Sequence, residues 1–200
     1  MTSLNTAAPA PRRRESSRLA ILDAALALCR EEGYARLSIE GIAARAGVGK
    51  ATIYRWWPSK GAVLLEALDR EAAAVTAFPD TGDLVADMRT TFNDVIRFHA
   101  SPDTGPAFAA LIAEAQQDPA LGPLLLEHFF RPRRAPIVQR LRQAQRAGQL
   151  PETLDVEAVL EVIFGALFHR LLLRSGPLDA AYANFVVDTV FAGTSAVQST

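Results

Sequence analysis

Cysteine, histidine and long apolar runs are all scarce in this sequence, and each scarcity removes a class of protein. Cys29 is the only cysteine, so an internal disulfide framework and a multi-cysteine metal site are excluded. The histidines, His99, His128 and His169, lie far apart and lack the spacing of metal ligands. Apolar runs such as Val162 to Phe168 are far shorter than the roughly 18 residues that a membrane span needs. We therefore expect no metal, no cofactor and no membrane partner.

The sequence also lacks the pattern of an active site. No nucleophile stands beside a base and no cluster of metal ligands is visible, which argues against an enzyme. A site assembled from distant residues would escape this reasoning, and a pocket with a strongly perturbed pair of carboxylates would reopen the question. We therefore predict no catalytic residue.

The first residues contain little that folds. Residues 1–15 mix Thr, Ser, Asn, Pro and Arg without apolar periodicity, which predicts a disordered basic tail. No apolar run follows the basic residues of Met1 to Arg14, so this segment is not a secretory signal, and we expect a cytoplasmic protein. The tail either has no role or acts as a flexible arm that enters a DNA minor groove.

Charge is distributed unevenly along the chain. Residues 1–60 contain ten Lys and Arg against five Asp and Glu, whereas residues 61–200 contain eleven against seventeen. A basic segment neutralises phosphates and releases their counterions, which supplies affinity for DNA of any sequence. The pattern indicates a nucleic-acid partner for the first third of the chain.

Two short helices are predicted within residues 17–47. The first has apolar residues at helical spacing from Ser17 and stops at Gly33, a residue that readily adopts the positive φ of a helix end. Ser38 is a good N-cap for the second helix, which Gly47 ends after about two turns. Cys29 falls on the apolar face of the first helix, so we expect a buried structural thiol.

A tight turn and a third helix follow. Residues 47–49 read Gly-Val-Gly, and the third helix is predicted from Lys50 to Trp57, with Pro58 as its end. Ser59 caps a fourth helix that connects to the rest of the chain over residues 60–78. The predicted organisation is a tail at 1–15, a helix-turn-helix domain at 16–60 with its connector, and a second domain at 79–200.

The second domain is predicted to be helical throughout, because no strand-like alternation occurs after Pro79. Five further helices are expected there, at 83–100, 106–117, 121–146 with interruptions at Pro132 and Pro136, 155–174 and 179–196. The fold class is therefore all-α with about nine helices.

The third helix has two different faces on a helical wheel. Ile53 and Trp57 point to one side and are expected to pack inward, whereas Ala51, Thr52 and Arg55 point to the other. That second side is small and polar, which suits insertion into the DNA major groove, where arginine binds guanine and threonine contacts base edges.

Further side chains flank this face. Tyr54 and Trp56 have polar tips that suit phosphate oxygens at the groove walls, which favours DNA contact over the alternative of a place in the core. Lys60 adds a positive charge at the start of the fourth helix.

The residues around the turn resemble a known family. The run Gly47-Val48-Gly49-Lys50-Ala51-Thr52-Ile53-Tyr54-Arg55-Trp56-Trp57-Pro58-Ser59-Lys60, together with Gly33-Tyr34, Leu37-Ser38 and Ile42-Ala43, is similar to the signature of the TetR family of transcriptional regulators. The helical wheel of the third helix and this resemblance together predict nine DNA-contact residues: Ser38, Gly49, Lys50, Ala51, Thr52, Tyr54, Arg55, Trp56 and Lys60. The resemblance implies a repressor with a ligand-binding and dimerisation domain of the TetR type.

This sequence departs from the family pattern at a few positions. Gly49 stands where Ser or Thr is usual, which removes a side-chain cap and a phosphate donor. Gly41 replaces a better helix former, and Trp56 with Trp57 replaces the usual His-Phe pair. These changes concern the details of the backbone contacts with DNA.

The last two predicted helices are apolar on more than one side, which is typical of helices that are buried between neighbours. The resemblance implies that they form a four-helix bundle with a second subunit, and the alternative is a core within one chain. The predicted dimer-interface residues are Phe164, Phe168, Leu172, Tyr182, Phe185, Val186 and Val190.

A set of mostly aromatic residues lies between the helix-turn-helix domain and these last two helices. The resemblance implies that this region encloses a ligand pocket, for which the candidate residues are Phe92, Phe98, His99, Phe108, Phe129 and Phe130, and packing in a plain core is the alternative. With His99 or His128 as a polar group, such a pocket suits a small hydrophobic or aromatic effector.

Two other readings of a DNA-binding chain stay open. An architectural protein that ignores sequence is normally basic throughout, unlike this chain. An activator would share the fold with a repressor, and no residue distinguishes the two.

Overall fold

The computed structural model describes residues 11–73 and 78–197, and all regular structure within those ranges is helical. This confirms the all-α prediction. The helices are α1 Pro11–Glu32, α2 Ile39–Ala46, α3 Lys50–Tyr54, α4 Lys60–Ala73, α5 Leu84–Ala100, α6 Gly105–Ala115, α7 Leu121–Leu125, α8 Arg131–Arg146, α9 Val156–Leu173 and α10 Ala180–Val197. A π-helical turn, Leu126–Phe130, joins α7 to α8 without a break. None of the described helices combines the length and apolarity that crossing a membrane requires.

Helix α1 begins earlier than predicted. It starts at Pro11, so the prediction of a disordered tail at 1–15 is wrong for its last five residues, while residues 1–10 lie outside the described part. Proline is favoured in the first turn of a helix because its missing N–H has no partner to lose there. Arg18 then pairs with Glu15 one turn earlier and with Glu66 of α4, which holds this segment against the domain.

The caps of α1 and α2 lie where the sequence predicts them. Gly33 has φ +81° directly after α1, and Gly47 has φ +66° directly after α2. The Ser38 hydroxyl accepts a hydrogen bond of 3.1 Å from the N–H of Gly41. Cys29 is buried, and burial raises the pKa of its thiol, as expected of a structural cysteine.

Helix α3 is shorter than the predicted range from Lys50 to Trp57. It ends at Tyr54, and Arg55 and Trp56 form a turn. The amides of both Trp56 and Trp57 donate to the carbonyl of Ile53 at 2.9 Å, so the chain tightens before Pro58. A proline disfavours α conformation in the residue before it, which accounts for the early end.

The segment from 121 to 146 is one continuous helix, although the prolines predict interruptions. Pro132 lies in the first turn of α8 and Pro136 inside it. The Arg131 amide donates to the carbonyl of Leu126, five residues back, which accommodates one extra residue just before the first proline. Buried Ile137 and Leu141 anchor the rest of α8.

Two hydrophobic cores form, and the first crosses from the DNA-reading end into the second domain. It contains residues of α1 to α4 together with Phe108 and Leu111 of α6, Leu121 of α7 and Phe129 of the π turn. The second core joins α5, α8, α9 and α10. Helices α1 to α4 therefore share one hydrophobic core with α6, α7 and the π turn.

Candidate DNA-binding surface and effector cavity

The two faces of α3 are arranged as the wheel predicts. Ile53 is fully buried and Trp57 is only 4% exposed, whereas Ala51 and Arg55 are exposed and Tyr54 is 55% exposed. The start of α3 has no side-chain cap, because Gly49 occupies the N-cap position. The outer face is therefore a short, mostly polar surface that follows a tight glycine turn.

The two adjacent tryptophans, Trp56 and Trp57, differ in their burial and in their contacts. The Trp57 indole N–H donates to Glu66 of α4 at 2.7 Å, so this ring joins α3 to α4 inside the core. Trp56 is half-buried and meets Trp57 edge to face, with ring centroids 5.3 Å apart. The Arg55 guanidinium lies 5.2 Å from the centroid of Trp56, which gives the outer face a cation beside an aromatic ring.

The two lysines of the predicted surface already have partners within the chain. Lys50 is exposed and forms a 3.0 Å ion pair with Glu40 of α2, an acidic residue that sequence reasoning did not place at this surface. The Lys60 ammonium donates to the Tyr34 carbonyl at 3.2 Å and lies 4.4 Å from the centroid of the Tyr34 ring. Lys60 therefore ties the loop after α1 to the start of α4.

Gly61 of α4 packs closely against Leu121 of α7 and against Tyr34. A Cβ at this position would lie 2.8 Å from a methyl carbon of Leu121 and 3.2 Å from the Tyr34 hydroxyl, so a larger residue would force the Leu121 side chain to shift. Burial and the carboxylate of Glu114 raise the pKa of Tyr34, which keeps the phenol neutral in this contact. Sequence reasoning missed this junction because its members are distant along the chain.

A cavity of about 490 Å³ opens among α5, the π turn, α8 and α9. Of the predicted ligand-pocket residues, Phe98, His99, Phe129 and Phe130 line it. Its other lining residues are Ala72, Phe78, Thr91, Val95, Leu126, Arg131, Pro132, Arg133, Arg134, Pro136, Ile137, Glu161, Phe164, Gly165 and Phe168.

Several predicted positions are not in the cavity or change their role. Phe92 and Phe108 are fully buried in the two cores and do not line the cavity. His128 is exposed on the outside of the π turn, so it offers no polar group to the cavity. Phe164 and Phe168, predicted at the dimer interface, line the cavity instead, because their side of α9 faces α5 and the π turn.

Other residues of the predicted dimer interface are divided between inside and outside. Val186 is buried in the second core, and Val190 packs against it, so Val186 presents little surface outside the chain. The Tyr182 hydroxyl donates to the Ala166 carbonyl at 3.0 Å, which joins α10 to α9. Phe185 is 66% exposed and Leu172 is also exposed.

Several large hydrophobic side chains of α9 and α10 are exposed. They are Val162, Leu172 and Leu173 of α9 and Phe185 of α10. Charged or polar residues, among them Glu161, His169 and Asp188, are exposed on the same two helices.

Helix α4 touches the cavity directly. Ala72 forms part of its wall, and Arg133 of α8 donates to the side chain of Asp69 at 2.8 Å and to the Asp69 carbonyl at 2.9 Å. The Arg133 guanidinium also lies 4.1 Å from the centroid of the Phe129 ring. Arg133 and Phe129 therefore join the wall of the cavity to α4, the helix that begins beside α3.

A short helix with a polar outer face, preceded by a glycine turn and braced from behind by two others, defines a helix-turn-helix DNA-binding protein. Residues 21–67 match the profile of the tetR family of bacterial regulatory proteins, and residues 78–190 match that of the tetracyclin repressor-like C-terminal domain. The chain belongs to the TetR family of transcriptional regulators, whose members are DNA-binding regulators and not enzymes.

Relatives cover nearly the whole chain. The HTH-type transcriptional regulator YdeS of Bacillus subtilis is 35% identical over 188 residues, which are 94% of each chain. The DNA-binding transcriptional repressor TetR of Mycobacteroides abscessus is 32% identical over 179 residues, 89% of this chain and 93% of that protein. The crystal structure of the TetR family transcription regulator SCO0332 has a TM-score of 0.74 at 35% identity and covers 89% of this chain and 98% of that one.

Proposed function

We propose that the chain is a cytoplasmic repressor that binds a palindromic operator as a homodimer and leaves it when a small hydrophobic or aromatic effector enters the cavity. The observation that carries this proposal is the coexistence of an exposed reading face on α3 and a largely apolar cavity that shares a wall with α4. In this proposal Arg55 and Thr52 contact base edges. The remaining predicted residues contact the sugar-phosphate backbone of DNA and set the position of α3 on it; they are Ser38, Gly49, Lys50, Ala51, Tyr54, Trp56 and Lys60.

Two copies of the reader are needed for useful specificity. A single helix-turn-helix makes few base contacts, and a dimer with recognition helices about 34–36 Å apart binds two half-sites on one side of DNA. The exposed apolar residues of α9 and α10, Val162, Leu172, Leu173 and Phe185, provide the surface for the second copy. A palindromic operator follows from the two-fold symmetry of such a dimer.

Release follows from a shift of population between two arrangements of the dimer. The cavity volume of about 490 Å³ lies within the range of small-molecule sites. Its wall includes Phe129, whose ring stacks against the Arg133 guanidinium. Arg133 in turn donates a hydrogen bond to the carboxylate of Asp69 on α4. An effector that moves Phe129 changes the tilt of α4 and so the separation of the two recognition helices.

Selection of bound fragments from the source genome with the purified protein tests the DNA part of this proposal. We expect one palindromic site upstream of a nearby gene, and loss of that enrichment with the Arg55→Ala variant. Indiscriminate recovery would favour the architectural reading, and no recovery would overturn the proposal. The position of the site relative to the promoter distinguishes a repressor from an activator.

The dimer is tested with Phe185→Asp, which places a charge in the exposed apolar surface. We expect a monomer by light scattering at concentrations where the unaltered chain is a dimer. Leu19→Asp is the matched control, because Leu19 is also an exposed large hydrophobic residue but lies on α1. A dimer that survives Phe185→Asp, or one that Leu19→Asp also dissociates, would contradict this assignment.

A further inference from the structure

The charged side chains at the cavity are already neutralised by the chain itself. Arg131 pairs with Glu127 at 2.7 Å and Arg133 with Asp69 at 2.8 Å. The third arginine, Arg134, pairs with Glu157 at 2.8 Å and faces Glu161 at 3.6 Å. Each arginine that lines the cavity among the described residues thus has a carboxylate. The cavity is therefore not arranged to hold an anionic molecule by its charge.

One wall of the cavity contains a buried hydrogen-bond acceptor without a partner. His99 is 6% exposed, and its Nδ1 lies 2.8 Å from the Val95 carbonyl. A carbonyl only accepts, so Nδ1 carries the hydrogen and Nε2 of the neutral ring presents a lone pair. Burial lowers the pKa of His99 to about 4, which keeps the ring neutral near pH 7. Nε2 has no hydrogen-bond partner among the described residues.

A second unpartnered polar atom lies on the same helix. Thr91 also lines the cavity, and its Oγ1 is buried without a hydrogen bond to any described residue. Its neighbour Thr90 shows the usual arrangement, in which Oγ1 donates to the carbonyl of Ala86 four residues earlier at 3.0 Å. The Thr91 hydroxyl is therefore a buried polar group of a cavity-wall residue whose hydrogen-bonding capacity no described residue uses.

The two atoms belong to opposite ends of one helix face. Thr91, Val95, Phe98 and His99 of α5 all line the cavity, at the i, i+4, i+7 and i+8 spacing of one helix face. Eight residues correspond to about 12 Å along a helix axis, which exceeds the length of a single aromatic ring. Between the two polar positions the wall is formed mainly by aromatic and aliphatic side chains.

A buried polar atom without a partner is costly, and a ligand that supplies the missing hydrogen bond recovers that cost on binding. We propose that the effector is a neutral, elongated, mostly aromatic or aliphatic molecule with a hydroxyl or N–H donor for His99 Nε2 and a second polar group, about 12 Å away along α5, for Thr91 Oγ1. This inference rests on the proposed effector function of the cavity and defines the chemical class of its ligand.

A biphenyl series tests the proposal on the full chain by isothermal titration calorimetry. The probes are biphenyl, 4-methoxybiphenyl, 4-hydroxybiphenyl and biphenyl-4,4′-diol, which share one rigid apolar frame. We expect 4-hydroxybiphenyl to bind about tenfold more tightly than the methoxy compound, because only the phenol donates to Nε2. The diol is expected to gain a further few-fold over the single phenol.

Variants separate the two polar positions. His99→Phe should abolish the preference for phenol over methoxy while biphenyl still binds, which also reports that the variant folds. Thr91→Val should remove only the extra gain of the diol. Thr90→Val is the matched control, because Thr90 does not line the cavity, and all affinities should stay unchanged.

Three results would overturn the inference: equal affinities across the series, a phenol preference that survives His99→Phe, or no binding of any probe. Operator binding is measured on the same preparation. If the chain selects an operator but fails in the probe series, the ligand class is wrong and the regulator assignment stands. If it selects no DNA, the proposed function fails whatever the probes do.

Discussion

The surroundings of α3 and the cavity beside α5 differ in how completely their helices fill the space between them. Around α3 the interior is filled, with Ile53 and Trp57 buried and the polar face turned to solvent. Around α5 the packing leaves a cavity of about 490 Å³, whose wall includes Thr91 and His99, each with a buried polar atom that has no partner among the described residues. A reading surface has to be rigid before DNA arrives, whereas a sensor has to be able to change when a ligand arrives.

The contrast predicts unequal costs for removing an aromatic ring. Trp57→Ala should reduce the free energy of unfolding by about 3–5 kcal/mol, because it leaves a hole in a filled core and removes the hydrogen bond to Glu66. Phe130→Ala should reduce it by only about 1–2 kcal/mol, since part of that ring faces the cavity. Urea denaturation of both variants measures the difference, and equal losses would mean that the cavity is not an unfilled volume in solution.

The buried imidazole of His99 predicts that the stability of the fold depends on pH through a group in the cavity wall. The pKa of His99 is about 4 in the fold, against about 6.5 for an unfolded histidine. The unfolded chain therefore binds this proton first, and stability is lost as pH falls from 6.5 towards 4, by about 3 kcal/mol for this group.

His99→Gln removes the titrating group and isolates its part of the pH dependence. The stability advantage of the unaltered chain over the variant at pH 7 should shrink on acidification. Denaturation at a series of pH values measures this, and an advantage that is constant from pH 7 to pH 4 would show that His99 is not held neutral by burial.

On the reading side, Arg55 should distinguish bases. If it binds a guanine edge, Arg55→Ala should weaken operator binding by about 1–3 kcal/mol and relax the preference at one base position. Lys60→Ala should weaken binding to all sequences alike, because a lysine at a phosphate carries no base information. Competition between operator and single-base variants measures both, and uniform weakening by Arg55→Ala would contradict the base-reading role.

The smallest expected effect concerns the acidic residue beside the reader. Glu40 holds Lys50 in an exposed ion pair that contributes little to stability. Glu40→Gln should free the ammonium for phosphate and tighten DNA binding a few-fold, with a steeper dependence on salt. Fluorescence anisotropy at several salt concentrations tests this, and weaker binding would mean that the pair itself positions α3.

Local features near the reader were predictable because their causes are local. Ser38, Gly33 and Gly47 act through their own backbone geometry, and the inward side of α3 follows from helical spacing. The end of α3 was misjudged by three residues, because the apolar pattern continues to Trp57 and does not show the turn at Arg55 and Trp56. The place of Phe164 and Phe168 in the cavity wall was not predictable, because α9 is apolar on several sides and periodicity does not say which neighbour each side meets.

The sequence by itself determined the all-helical class, the glycine turn and the face of α3 that meets solvent, since these depend on residues within a few turns of one another. Only the tertiary structure decided that Gly61 brings α4 against α7, that Arg133 joins the cavity wall to Asp69, and that Thr91 and His99 face one cavity. The reason is that such contacts join residues far apart in the chain, and their partners are selected by how whole helices pack.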